Sequence, residues 1–197
     1  MYVFLLFLIE LILFLTNYEP GTYLMGWDNV MPEFNLWLNL KRSLFGVWQD
    51  YRGLGLLDGL SHTSNLFHTL YISALSLVLP QSMLRYTLIF LIHLVGGVAF
   101  YYLVRSLTKN DRASFFGTLF YMLNLGVIQI FFAPLEVFAF HFAALPLLAL
   151  VITNAVKRPS RKNFLILFLV SLLTTPQFFV PTFFLVFMIM FGSLLLF

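Results

Sequence analysis

Apolar positions in this chain fall in long blocks, and polar positions are confined to short words between them. The blocks at 86–104, 113–132 and 137–156 each approach the roughly 20 residues that a helix needs to cross a hydrocarbon core. The block at 2–16 is shorter and carries Glu10 inside it. A carboxyl there predicts either a hydrogen bond to a neighbouring helix or a proton or substrate role. Residues 66–79 start near His68 and end at Pro80, too few to decide whether they cross. Residues 164–197 are too many for one span, and Thr174-Thr175-Pro176-Gln177 predicts a break into a hairpin or a re-entrant pair. Gly96-Gly97 predicts a close helix contact, and His93, one turn earlier, predicts a hydrogen-bonded interior histidine. The pattern predicts an all-α, polytopic integral membrane domain over 1–197, incomplete at its C-terminus because the last block has no polar end.

The polar stretch at 19–68 holds five acids, Glu19, Asp28, Glu33, Asp50 and Asp58. Its centre is Gly26-Trp27-Asp28-Asn29-Val30-Met31-Pro32-Glu33-Phe34-Asn35. Placing residues 32–49 at helical intervals gathers Asn35, Asn39, Arg42, Ser43, Gly46, Gln49 and Asp50 on one arc. Phe34, Trp37, Leu38, Leu40, Leu44, Phe45, Val47 and Trp48 fill the other side, with Lys41 able to snorkel among them. This predicts an amphipathic juxtamembrane helix over 32–49, lying on the membrane or packing its apolar face on protein. Residues 51–65 carry Gly53, Gly55 and Gly59 and predict a mobile loop, since no Gly-Lys-Ser/Thr word supports a phosphate loop.

Composition sharpens the class. The chain is 61% hydrophobic and 10% charged with a mean hydropathy of +0.94, far from a soluble domain with about 25% charged residues. The lipid bilayer is the expected partner and nucleic acid is excluded, because a net charge of +3 resides in short basic words between apolar blocks. The absence of cysteine excludes disulfides, thiolate metal sites and cysteine nucleophiles. No cofactor is expected, and no Asp-Asp or Glu-Asp pair supports a divalent metal. The basic words at 105–112 and 157–162 lie two spans apart and share a side, which should be cytoplasmic. Glu136 and Arg85 then lie outside, as does the loop at 17–65 if residues 66–79 do not cross. If they do cross, that loop is cytoplasmic.

One chemistry suits a carboxylate just after a first span. In sugar transfer from a polyprenyl-phosphate donor, a base takes the proton of the attacking hydroxyl at the membrane surface. A cationic group offsets charge on the leaving phosphate, a role open to Arg42 and Arg52 beside the plainer one of solvated charge. Asp28 is equally well placed to cap the helix that Pro32 opens, and Glu33 suits a first helical turn on dipole grounds alone.

Short words then give a resemblance. Gly26-Trp27-Asp28 with Pro32-Glu33-Phe34, the stretch from Leu44 to Trp48 with Gly53-Leu54-Gly55, and Tyr101-Tyr102-Leu103-Val104-Arg105 are three of them. Phe120-Tyr121-Met122-Leu123-Asn124, and Ala133-Pro134-Leu135-Glu136 followed by Ala144-Leu145-Pro146, complete the set. The layout resembles the GT-C superfamily of membrane glycosyltransferases, and within it the N-terminal region of the alpha-(1→3)-arabinofuranosyltransferases. The resemblance implies inverting transfer outside the membrane, from a polyprenyl-phosphate sugar donor to a glycan or lipid acceptor. It implies Asp28 as base with Glu33 assisting, and Glu136 as an acid at the external start of a later span. The chain is far shorter than members of that family, so an acceptor-binding domain is missing. The competing expectation is a non-catalytic multi-pass membrane protein, either part of a lipid or polysaccharide transporter or a truncated scaffold. Against a transporter, the acids concentrate in one loop instead of near mid-membrane in paired broken helices.

Overall fold

The computed structural model describes residues 1–26, 30–46, 48–49, 53–57 and 65–196. Asp28, Arg52, Asp50 and Asp58 therefore lie outside the described residues. The architecture is all-α, and its elements follow the apolar blocks. Helix α1 spans Tyr2–Asn17 and α2 spans Leu36–Phe45. A two-residue antiparallel ladder follows, β1 at Trp48–Gln49 and β2 at Leu56–Leu57, with Trp48 opposite Leu57. Then come α3 at Leu66–Leu75, α4 at Leu84–Thr108, α5 at Asp111–Leu123 and α6 at Leu125–Phe132. Helix α7 spans Glu136–Lys157, and α8 (Arg161–Leu173) and α9 (Pro181–Leu196) are joined by a 3-10 turn at Thr175–Phe179 and each pack on α7. The apolar run breaks where the Thr-Thr-Pro-Gln word predicts.

Among the described residues, two helices, α4 and α7, are long and apolar enough to cross a membrane, or three spans if the bent α5–α6 pair counts as one. At 16 residues, α1 is short for a span. Ten-residue α3 rises about 15 Å and falls well short of one.

The bundle is centred on α4, which packs against α7, α5 and α1. Glycines allow the approach. A Cβ on Gly96 would stand 2.4 Å from the Phe142 ring and 3.1 Å from the Ala143 Cα. A Cβ on Gly97 would meet the Met122 sulfur at 2.3 Å.

The expected continuous span at 113–132 is instead bent by 49° at Asn124. Asn124 makes the break affordable. Its side-chain oxygen accepts from Val127 N–H to cap α6, and its amide nitrogen donates to the Phe120 and Tyr121 carbonyls that end α5. Pro146 creates a similar problem inside α7, since it has no N–H for the Phe142 carbonyl four residues before it. The Tyr121 hydroxyl donates to that carbonyl at 2.7 Å. Side chains thus pair backbone groups that both breaks free.

The expected helix over 32–49 is shorter. A 3-10 turn at Pro32–Phe34 precedes α2, which Asn35 caps by accepting from Leu38 N–H. It stops at Gly46, where any Cβ would press to 2.6 Å on the Arg42 carbonyl. The helix is amphipathic as expected, but it sits inside out. It packs on α3 with the polar Asn39 and Ser43 buried, whereas Trp37 and Phe45 are 75% and 77% exposed. Phe34, Leu44 and Trp48 are exposed with them.

Gly96 and Gly97 separate in a test. Gly96→Ala presses on a buried ring and on backbone, whereas Gly97→Ala presses on the flexible Met122 side chain. Thermal unfolding of the detergent-purified protein should show Gly96→Ala destabilised by about 1–3 kcal/mol and Gly97→Ala by less.

Candidate functional site

A polar cluster lies at the start of α4. Arg85, the second residue of that helix, is 2% exposed. A cation there opposes the helix dipole and needs anionic partners. Glu33 grips it from the 3-10 turn, with Arg85 Nε donating to Oε1 at 2.7 Å and Nη2 to Oε2 at 3.1 Å. Nη2 also donates to the Val30 carbonyl at 3.0 Å, and Gln81 Nε2 donates to the Glu33 carbonyl at 2.7 Å. From the far side, Glu136 Oε1 stands 2.7 Å from Arg85 Nη1. That pair is close enough for strong attraction, yet neither atom has an aligned hydrogen-bond partner. The shared arginine places the first residues of α4 and α7 at one end of the bundle, so the two helices run parallel. The basic words at 105–112 and 157–162 follow their other ends. There Arg105 pairs with Asp111 at 2.6 Å, and Tyr101 donates to the same carboxylate.

His68, the third residue of α3, completes the cluster, with Nε2 3.1 Å from Glu136 Oε2. Its ring is fully buried. Burial, and then the Arg85 guanidinium, hold the imidazole down to about 3, far below its ordinary 6.5. The contact is thus a neutral ring beside a carboxylate rather than an ion pair, and its hydrogen-bond alignment is poor. The Thr69 hydroxyl on α3 and the Ser43 hydroxyl on α2 are buried without a hydrogen-bond partner. The interface of α2 with α3 is therefore polar inside an otherwise apolar protein.

Of the residues singled out in the sequence, Glu33 and Glu136 are brought together through Arg85. Arg42 lies on α2, half-buried and engaged. Asp28 and Arg52 are outside the described residues, although Asp28 precedes Val30 by two positions. Glu10 and His93 meet as hydrogen-bonded interior groups, away from this cluster. Arg85 and His68 carry site roles that the sequence reading passed over. The available signal was that Arg85 is the one basic residue between Arg52 and Arg105 and stands at a helix start. Among the described residues, no group of three or more histidine or acidic side chains could hold a metal ion.

The arrangement can fasten a loop and concentrate charge at one end of the bundle. Glu33 and Glu136 are 5% and 4% exposed, so their oxygens are spent on the arginine and its surroundings. Comparison with family models, curated proteins and solved structures gives no match.

The buried imidazole has a pH signature. An imidazole held at about 3 when folded and 6.5 when unfolded stabilises the fold fully above 6.5. That contribution is lost as pH falls from there toward 3. Below 6.5 the loss should approach about 1.4 kcal/mol per pH unit. Thermal midpoints of the detergent-purified protein should fall less steeply, or rise more, on acidification from 6.5 toward 3 in His68→Gln than in the wild type.

Proposed function

We propose that this chain carries the membrane-embedded N-terminal part of a glycosyltransferase of the GT-C type. It moves a sugar from a polyprenyl-phosphate donor to a glycan or lipid acceptor at the outer face of the membrane. The observation that carries the reading is the fastening of residues 30–33, just after Asp28, to Arg85 at the bundle end that also holds Glu136. The basic words lie at the opposite end, and the positive-inside rule assigns that end to the cytoplasm. The acidic loop then faces outward. The inside-out seat of α2 agrees, since exposed Trp37, Phe45 and Trp48 suit the headgroup region and Lys41 can snorkel from the same face.

In this reading the acceptor hydroxyl oxygen attacks the anomeric carbon as Asp28 takes its proton. The bond from carbon to phosphate oxygen breaks, and the polyprenyl phosphate leaves with that electron pair. Glu33 and Glu136 act by holding Arg85, which sets where the loop stands. Arg42 and Arg52 are the cations this reading assigns to a departing phosphate. No step needs a metal or an organic cofactor.

The second reading is a non-catalytic multi-pass membrane protein. It is favoured by the burial of both carboxylates of the cluster, which leaves them paired with Arg85 rather than open to a substrate.

A transfer assay separates the two. With the protein in membranes and a labelled polyprenyl-phosphate sugar, Asp28→Asn should cut transfer by about 10²- to 10⁴-fold and leave the thermal midpoint unchanged. A cysteine at Asn29 should react with an impermeant reagent added outside intact cells. Transfer retained by Asp28→Asn removes Asp28 from the chemistry, and labelling only after lysis reverses the sidedness.

A further inference from the structure

Helices α1 and α4 join two titratable side chains away from the Arg85 cluster. Glu10 Oε2 stands 2.7 Å from His93 Nδ1, and both residues are buried. His93 Nε2 lies 3.1 Å from the Met122 carbonyl. A carbonyl only accepts, so Nε2 must carry a hydrogen. The Nδ1–Oε2 contact therefore needs a proton of its own. It is supplied either by Glu10 as a carboxylic acid or by His93 as an imidazolium. Without that proton, the Nδ1 lone pair faces a carboxylate at 2.7 Å and the contact turns repulsive. The other carboxyl oxygen, Oε1, is buried with no partner, so nothing else tethers Glu10.

This contact sits at the break between α5 and α6. Bending at Asn124 frees the last carbonyls of α5; Asn124 takes those of Phe120 and Tyr121, and His93 takes that of Met122. The His93 ring is flanked by Phe131 of α6 and Phe142 of α7, at centroid distances of 4.6 and 5.4 Å. A cleft of about 250 Å³ opens along the same break, lined by His93, Met122, Val127 and Phe131, with Asn17 on its wall. Other titratable and charged groups on the packing helices are engaged elsewhere. Arg85 and Glu136 pair with each other, His141 with Gln177, and Arg105 with Asp111. Tyr121 donates to the Phe142 carbonyl, Tyr101 to Asp111, and Tyr86 meets Thr22. Tyr2 and Tyr102 lie in aromatic contacts, and Arg112 and Lys157 are exposed.

We propose that Glu10 and His93 form a proton-binding site within the helix bundle. One proton held between Nδ1 and Oε2 keeps the α5–α6 break latched to α4. When it leaves to water in the cleft, the O–H or N–H bond breaks, the ring lets go of the Met122 carbonyl, and α6 loosens. None of these groups belongs to the sugar-transfer site, so the inference stands or falls apart from that reading.

Amide hydrogen exchange along α6, corrected for the intrinsic pH dependence of exchange, tests it in the detergent-purified protein. Loss of one buried hydrogen bond predicts exchange about tenfold faster as pH rises through the titration of the pair. Glu10→Gln offers a carboxamide N–H to Nδ1 and keeps the bond without a removable proton, so α6 should stay protected at every pH. Glu10→Leu removes the bond, and α6 should exchange fast at every pH. Protection in the wild type that ignores pH, or a Gln variant that keeps the wild-type pH dependence, overturns the proposal. Should the Leu variant fail to fold, the wild type and the Gln variant decide the question between them.

Discussion

A guanidinium sealed inside an apolar bundle dictates the rest of this structure. Arg85 cannot shed its charge, and an unpaired buried charge is costly enough to unfold a protein. It must therefore be met by carboxylates wherever the chain can supply them. Glu33 comes from one side through a two-bond grip and Glu136 from the other, over sequence separations that no local element spans. Meeting that need fixes the first turns of α4 and α7 at one end. It pins the 3-10 turn at Pro32–Phe34 against the start of α4. Such a network is weak evidence for stability, because desolvation offsets much of its attraction. It is strong evidence for register, since any slip of the loop leaves a charge alone.

The same demand for partners, on a smaller scale, governs the backbone. Pro146 orphans the Phe142 carbonyl and Tyr121 answers it; the bend at Asn124 orphans three carbonyls, which Asn124 and His93 answer. One side chain of the right reach answers the proline, and two answer the bend. These repairs also mark where the bundle can yield. Few hydrogen bonds hold each one, so local opening there costs far less than opening the packed contact of α4 with α7.

Much of this was legible in the chain. Apolar blocks located α4, α7 and the broken run of α8 and α9, and Gly96-Gly97 marked a close contact because small side chains let helix backbones approach. Glu10 and His93 each announced an interior partner, though not that they were partners of one another. The bend at Asn124 was hidden, since the surrounding run is uniformly apolar and asparagine alone does not break a helix. The direction in which α2 faces was hidden too. Periodicity gives an arc, not which arc is covered, and here the polar one is covered where α2 packs on α3. The cluster was half visible: Glu33 and Glu136 stood out as acids, whereas Arg85 read as a border residue. Pairing between them depends on tertiary proximity, which one sequence does not contain.

A double-mutant cycle on Glu33 and Arg85, with each changed to leucine alone and together, measures the central constraint directly. Stability is read from unfolding of the detergent-purified protein. Each single change should cost about 3–5 kcal/mol by stranding a buried charge, and the double change should cost much less than their sum. Strictly additive losses would mean that the two side chains do not meet, and the fastening of the acidic loop to the bundle would be contradicted.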